Sequence, residues 1–180
     1  MLFLKAEGRG APMKDDRNHL DVLRADHRRV LAQLETLDGL VRDAARAVEF
    51  EREVRGAVVH LERQFATHMQ MEERVLFPVL SGSAPAAFGP VSILSREHEA
   101  LRRLLSEIAG LLQARGGALQ AVLRIPWTDF TTLLREHIRK EEGAVFHLAE
   151  EFLSPAEWEL LARGLTHYHV ARNGPRGDEP

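Results

Sequence analysis

Six residues of this chain combine imidazole and carboxylate chemistry at helical spacing: His27, His68, Glu72, His98, His137 and Glu141. His68 and Glu72 stand four apart, as do His137 and Glu141. On a helix, such a pair projects from one face on successive turns. Donors that close grip one metal ion together, or one grips while the other bridges to a second ion. Helical-bundle di-iron sites use the same logic with a three-residue step. A mixed imidazole and carboxylate set suits iron, and would also accept manganese or zinc. The chain has no cysteine, so thiolate nucleophiles, disulfides, Cys-ligated zinc and iron–sulfur clusters are excluded.

A single His-x-x-x-Glu is a weak signal, because His and Glu are common in helices. Here the pattern occurs twice in register. Thr67-His68-Met69-Gln70-Met71-Glu72-Glu73, followed by Val75-Leu76-Phe77, matches Glu136-His137-Ile138-Arg139-Lys140-Glu141-Glu142, followed by Ala144-Val145-Phe146. Arg24-Ala25-Asp26-His27 and Ser95-Arg96-Glu97-His98 match likewise. The halves therefore read as two helical hairpins related by a pseudo-twofold axis, each giving His, His and Glu. Two metal ions across that axis is the count this implies.

The elements that must position these residues follow from the apolar spacing. Steps of three and four run through Leu20, Leu23, Val30 and Leu34, and through Val54, Val58, Leu61, Phe65, Val75 and Leu76. They recur through Leu94, Leu101, Leu105, Ile108 and Leu112, and through Trp127, Phe130, Leu134, Val145 and Leu148. This is helical periodicity, and no segment alternates as a strand would. The six candidates fall on these stripes where a core residue is expected. Burying an unpaired polar group costs about 1–3 kcal/mol, and a charge more, so six of them need a common reason to be inside. A shared pair of divalent cations is one.

Breakers divide the chain at Ser81–Pro90, at Gly116-Gly117 and at Ile125-Pro126. Ser154-Pro155-Ala156-Glu157 reads as a helix start, with Ser at the N-cap, Pro at N1 and Glu at N3. The expected fold is all-α: an antiparallel up-down four-helix bundle with a short fifth helix near 155–164. A flexible extension over residues 1–14, a bundle over 15–165 and a flexible tail over 166–180 are expected. Met13 offers an alternative start.

At 180 residues and a formal net charge of -3, the chain fits one domain without a basic face, so neither nucleic acid nor an anionic membrane is the expected partner. The first ten residues are too charged for a signal-peptide core and no run is long enough to span a bilayer, so a cytoplasmic location is expected.

The His on the first helix, the His-x-x-x-Glu-Glu segment ending in Leu-Phe-Pro (His68 to Pro78) and their repeat resemble the hemerythrin-like HHE cation-binding domains. The resemblance covers residues 18 to 153. It implies a four-helix bundle with a non-haem di-iron centre, in which Glu72 and Glu141 bridge and two His cap each iron. The diatomic ligand implied is dioxygen or nitric oxide. Two departures bear on function. Oxygen carriers of the family place a second His one turn after the third-helix His, where this chain has Arg102. They also place an Asp five after the last His, where Glu142 stands here beside Glu141. The four-His, two-Glu set therefore implies redox or nitric oxide chemistry more than reversible oxygen carriage, and an enzyme or iron donor in nitrosative or oxidative stress repair of iron–sulfur centres is the alternative. A sensor of this kind would work through a redox or signalling partner protein, and a structural zinc-binding bundle is a further alternative.

Other polar residues near the stripes are expected to face solvent. Asp26, Glu97 and Glu136 each precede a candidate and point about 100° away from it, with Glu97 also a candidate proton route. Glu73, Glu142, His60 and His147 are placed outside by the same spacing, and Met69 and Met71 are read as packing or surface residues.

Overall fold

The computed structural model describes residues 19–42, 47–113 and 119–173, and among these the chain is helical except at Ala84, Leu153 and Ser154. Helix α1 (Leu20–Arg42) buries the expected stripe and leads to α2 (Ala47–Met71). A π turn (Glu72–Leu76) joins α2 to α3 (Phe77–Ser83) without breaking the rod. A short 3-10 turn (Pro85–Ala87) leads into α4 (Phe88–Gln113), so the break expected over Ser81–Pro90 shrinks to a few residues. Helix α5 (Leu119–Lys140), a second π turn (Glu141–Val145) and α6 (Phe146–Phe152) form the fourth rod, and α7 (Pro155–Asn173) packs across the end.

The four rods are antiparallel neighbours. Arg24 on α1 pairs with Glu150 on α6, while Asp38, further along α1, accepts from Trp127 Nε1 and pairs with Arg135, both on α5. This is the expected up-down bundle. Two apolar clusters fill it. One runs from Val30, Leu34 and Phe65 to Leu101, Phe130 and Leu134, and the other gathers Leu20, Leu23, Val75, Leu76, Leu94, Phe146 and Trp158. The six candidate residues form the layer between them.

Two expectations are corrected. Ile125-Pro126 does not end a helix: α5 begins at Leu119 and runs through Pro126. The proline forfeits only its own bond to the carbonyl four residues back, and buried Leu123 and Trp127 on either side hold the helix in line. The fifth helix is not short either. It spans 19 residues and runs on past the expected end near 164, because Trp158, Leu161 and Leu165 anchor it to the core. The Gly116-Gly117 break and the extension at 1–14 lie outside the described residues.

The start of α7 is as read from the sequence. Ser154 N–H donates to Glu157 Oε2 at 2.7 Å, and Glu157 N–H donates back to Ser154 Oγ at 3.4 Å. Glu157 also accepts from Ser83 Oγ at 2.5 Å, tying the end of α3 to α7. Glu157→Ala is therefore expected to cost about 1–2 kcal/mol, a cap together with a tertiary hydrogen bond. Urea unfolding with an unchanged slope would measure it. Further along α7, Gly164 lies so close to the first π turn that an added Cβ would stand 2.4 Å from Val75 Cγ1.

Candidate metal centre

Helices α1, α2, α4 and α5 each deliver one His, and the two π turns one Glu each, to one buried layer, and all six are between 0% and 3% exposed. On one side His27 Nε2 lies 3.0 Å from His68 Nε2 and 3.2 Å from Glu141 Oε2. On the other His98 Nε2 lies 3.1 Å from His137 Nε2. Glu72 spans the two, with Oε1 2.5 Å from His68 Nε2 and Oε2 3.0 Å from His98 Nε2. Glu141 leans toward the first side, since the same Oε2 is 3.9 Å from His137 Nε2. Two groups of donor atoms result, each within a 4.8 Å span: His27, His68, Glu72 and Glu141, and Glu72, His98 and His137.

The carboxylates arrive on the π turns, which the apolar spacing did not reveal. In each, a backbone N–H reaches the carbonyl five residues back: Phe77 to Glu72, and Phe146 to Glu141. Such widened turns gather at functional sites. Each also aims a ring at the opposite half. Phe146 stacks on His27 with centroids 5.8 Å apart, and Phe77 on His98 at 5.6 Å. The repeated Phe of the sequence motif is thus a backstop for an imidazole.

These atoms fit a cation better than they fit one another. Both carboxylate oxygens of Glu72 and of Glu141 are buried without a hydrogen-bond partner. Such groups are costly unless something satisfies them. The near ring nitrogens converge on the same space, nitrogen to nitrogen, where two lone pairs repel unless a proton or an ion lies between.

Without a cation the layer holds protons. Burial alone would lower the pKa of His27, yet Glu141 and Glu72 raise it to about 10. His68 is likewise raised against burial to about 9, mainly by Glu72. Burial dominates at His137, which falls to about 4. At Glu141, burial and the neighbouring charge of Glu72 act together and raise it to about 7. Imidazoles bind metal only when their lone pairs are free, so uptake of a metal here would release protons and be favoured by rising pH.

Behind the layer the structure corrects the expectation that the flanking acids face solvent. Glu142 Oε1 lies 2.8 Å from His27 Nδ1, and Glu73 Oε1 lies 2.8 Å from His98 Nδ1. Glu97 Oε2 lies 3.2 Å from His137 Nδ1, and Asp26, only 5% exposed, stands 3.8 Å from His68 Nδ1. Each acid is about 100° from a candidate on its own helix and so reaches sideways to an imidazole of the adjacent rod, although Glu142 and Glu73 also keep contact with solvent, 42% and 30% exposed. Glu136 does stay outside, paired with Arg139, and His60 and His147 are exposed. Met69 and Met71 are buried packing residues.

Residues 18–149 match the family described as the hemerythrin HHE cation binding domain. The chain belongs to this family. The iron-sulfur cluster repair protein DnrN of Neisseria gonorrhoeae is 30% identical over 138 aligned residues, covering 69% of this chain and 85% of that protein. The fold is thus a hemerythrin-like bundle whose buried layer of His and Glu could hold a metal ion, and no helix among the described residues is long and apolar enough to cross a membrane.

Proposed function

We propose that this member of the hemerythrin HHE family is a non-haem di-iron protein that binds, senses or redox-processes dioxygen or nitric oxide. His27 and His68 would hold one iron and His98 and His137 the other, with the carboxylate of Glu72 shared between them and that of Glu141 serving chiefly the first. The observation that carries this reading is Glu72, whose two oxygens face imidazoles of opposite halves at 2.5 and 3.0 Å. Iron in such a set supplies one-electron chemistry and open positions for a diatomic ligand. The protein's own contribution is a dry layer closed by apolar clusters on both sides, with oriented imidazoles.

The reading is tested on protein from iron-replete cells by metal analysis and one optical series: reduced, then exposed to air, then to nitric oxide. Two irons per chain and a near-ultraviolet band that responds to either gas are the expected results. Zinc alone, or iron with no response to either gas, would sink it. A second reading, that the iron serves repair of iron–sulfur centres, draws on the relative named for that role. It predicts that the loaded chain, and not the metal-free one, restores an oxidatively damaged iron–sulfur protein.

A further inference from the structure

The internal repeat makes the two halves of the centre look equivalent, but the charges behind them are not. The acid after each bridging Glu reaches across to the first His of the other half: Glu142 to His27 and Glu73 to His98, both at 2.8 Å. Beyond that shared arrangement the halves diverge. Arg102 Nη2 donates to both oxygens of Glu73, at 2.7 and 2.8 Å. Four residues after His27, where a copy of Arg102 would stand, the chain has Leu31. Among the described residues no Lys or Arg lies within ion-pair distance of Glu142, whose ionic contact is with His27.

The outer pair of acids does not restore the balance. Glu97 behind His137 is paired with Lys140, and Asp26 near His68 is paired with Arg29. The His98–His137 side thus has a cation on both of its backing acids, while the His27–His68 side has one on only one of them. A carboxylate that accepts an Nδ1–H makes the imidazole a stronger donor to its metal, and such partners are worth about 10–100-fold in affinity. A guanidinium spread over that carboxylate draws its charge away. Arg102 and Glu73 are partly exposed, with side chains 43% and 30% accessible, so solvent screens the effect toward the lower end of that range.

Resting on the di-iron reading above, we propose that Arg102 is a positioning residue that makes the two metal positions unequal: the iron at His98 and His137 is held more weakly and reduced more readily than the iron at His27 and His68.

The test is an anaerobic calorimetric titration of the metal-free full chain with ferrous ion, together with a reductive titration of the loaded protein. Wild type is expected to load in two steps whose affinities differ by about tenfold. Arg102→Leu, which copies Leu31, should bring the steps together and lower the potential of the first iron reduced. A tenfold change in the ferric-to-ferrous preference corresponds to about 59 mV for one electron. Arg102→Lys should keep most of the gap, which loss of packing alone would not predict. Glu142→Gln should narrow the gap from the other side. If wild type takes up two irons in equal steps, or the gap survives Arg102→Leu, the inference is overturned while the di-iron reading stands. If wild type takes up one iron or none, it is the di-iron reading that fails, and this inference falls with it.

Discussion

Glu72→Ala is expected to empty both metal positions at once, whereas Glu141→Ala should strip mainly one. Glu72 belongs to both groups of donor atoms, and its oxygens sit 2.5 Å from His68 Nε2 and 3.0 Å from His98 Nε2. Glu141 belongs to the first group alone, with its nearest approach to the second side 3.9 Å. Iron per chain should therefore fall to near zero in the first variant and toward half in the second. Binding only to the folded state stabilises it by about 4 kcal/mol when the free metal is a thousandfold above its dissociation constant. At about 2–4 °C per kcal/mol for a chain of this size, the iron-dependent rise in Tm is of order 10 °C. Melting each variant with iron and with chelator subtracts the separate cost of removing Glu72 from a layer whose buried imidazoles it balances. Full iron content in Glu72→Ala would remove the assignment, and equal losses in the two variants would mean that both carboxylates bridge alike.

A second large effect lies away from the layer. Alanine is a better helix former than glycine by about 1 kcal/mol, so propensity alone predicts that Gly164→Ala stabilises α7. The opposite is expected, because the new Cβ would meet Val75 Cγ1 at 2.4 Å. Val75 is β-branched, buried and part of the π turn that carries Glu72, so it has little freedom to turn aside. Overpacking of this kind costs about 1–3 kcal/mol, and either outcome, α7 lifting or the turn shifting, disturbs the presentation of Glu72. Gly56→Ala is the control: an exposed position of α2 with nothing within 4 Å of the added carbon, expected to gain up to about 1 kcal/mol. Paired urea titrations and iron affinities of the two variants check the contrast. If Gly164→Ala is as stable as Gly56→Ala, α7 is not clamped on the turn.

The same two places mark what sequence reading reaches and what it misses. The rods and their inward faces were legible because burial repeats every three to four residues, and the six inward polar residues stood out against that apolar background. Their convergence on one layer followed from the duplicated motif. The contacts of the acids behind the imidazoles are not legible in the sequence, since a residue one step from an inward position points sideways, and only the neighbouring rod decides what that side meets. Asp26, Glu73, Glu97 and Glu142 all have a rod there. Pro126 reads as a stop in the sequence because its ring removes one hydrogen bond, yet packing at Leu123 and Trp127 outweighs that loss. The π turns leave one trace in the sequence. Val75, Leu76 and Phe77 are consecutive and all buried, a run too wide for one face of a regular α-helix.

That extra residue sets the helical phase of everything downstream. Deleting one position between Glu72 and Leu76 would tighten the turn and rotate α3 by about 100° about its axis. Phe77 and Leu80 would leave the core while the ligating face stayed where it is. His68 through Phe77 and His137 through Phe146 are both ten residues long, and in each the first residue is a donor and the last a ring stacked on a donor of the other half. The segment therefore behaves as an indivisible cassette. It tolerates exchange of side chains on its solvent face but no change of length, and a graft into another bundle must carry the whole block, ring included, to keep imidazole and carboxylate in register.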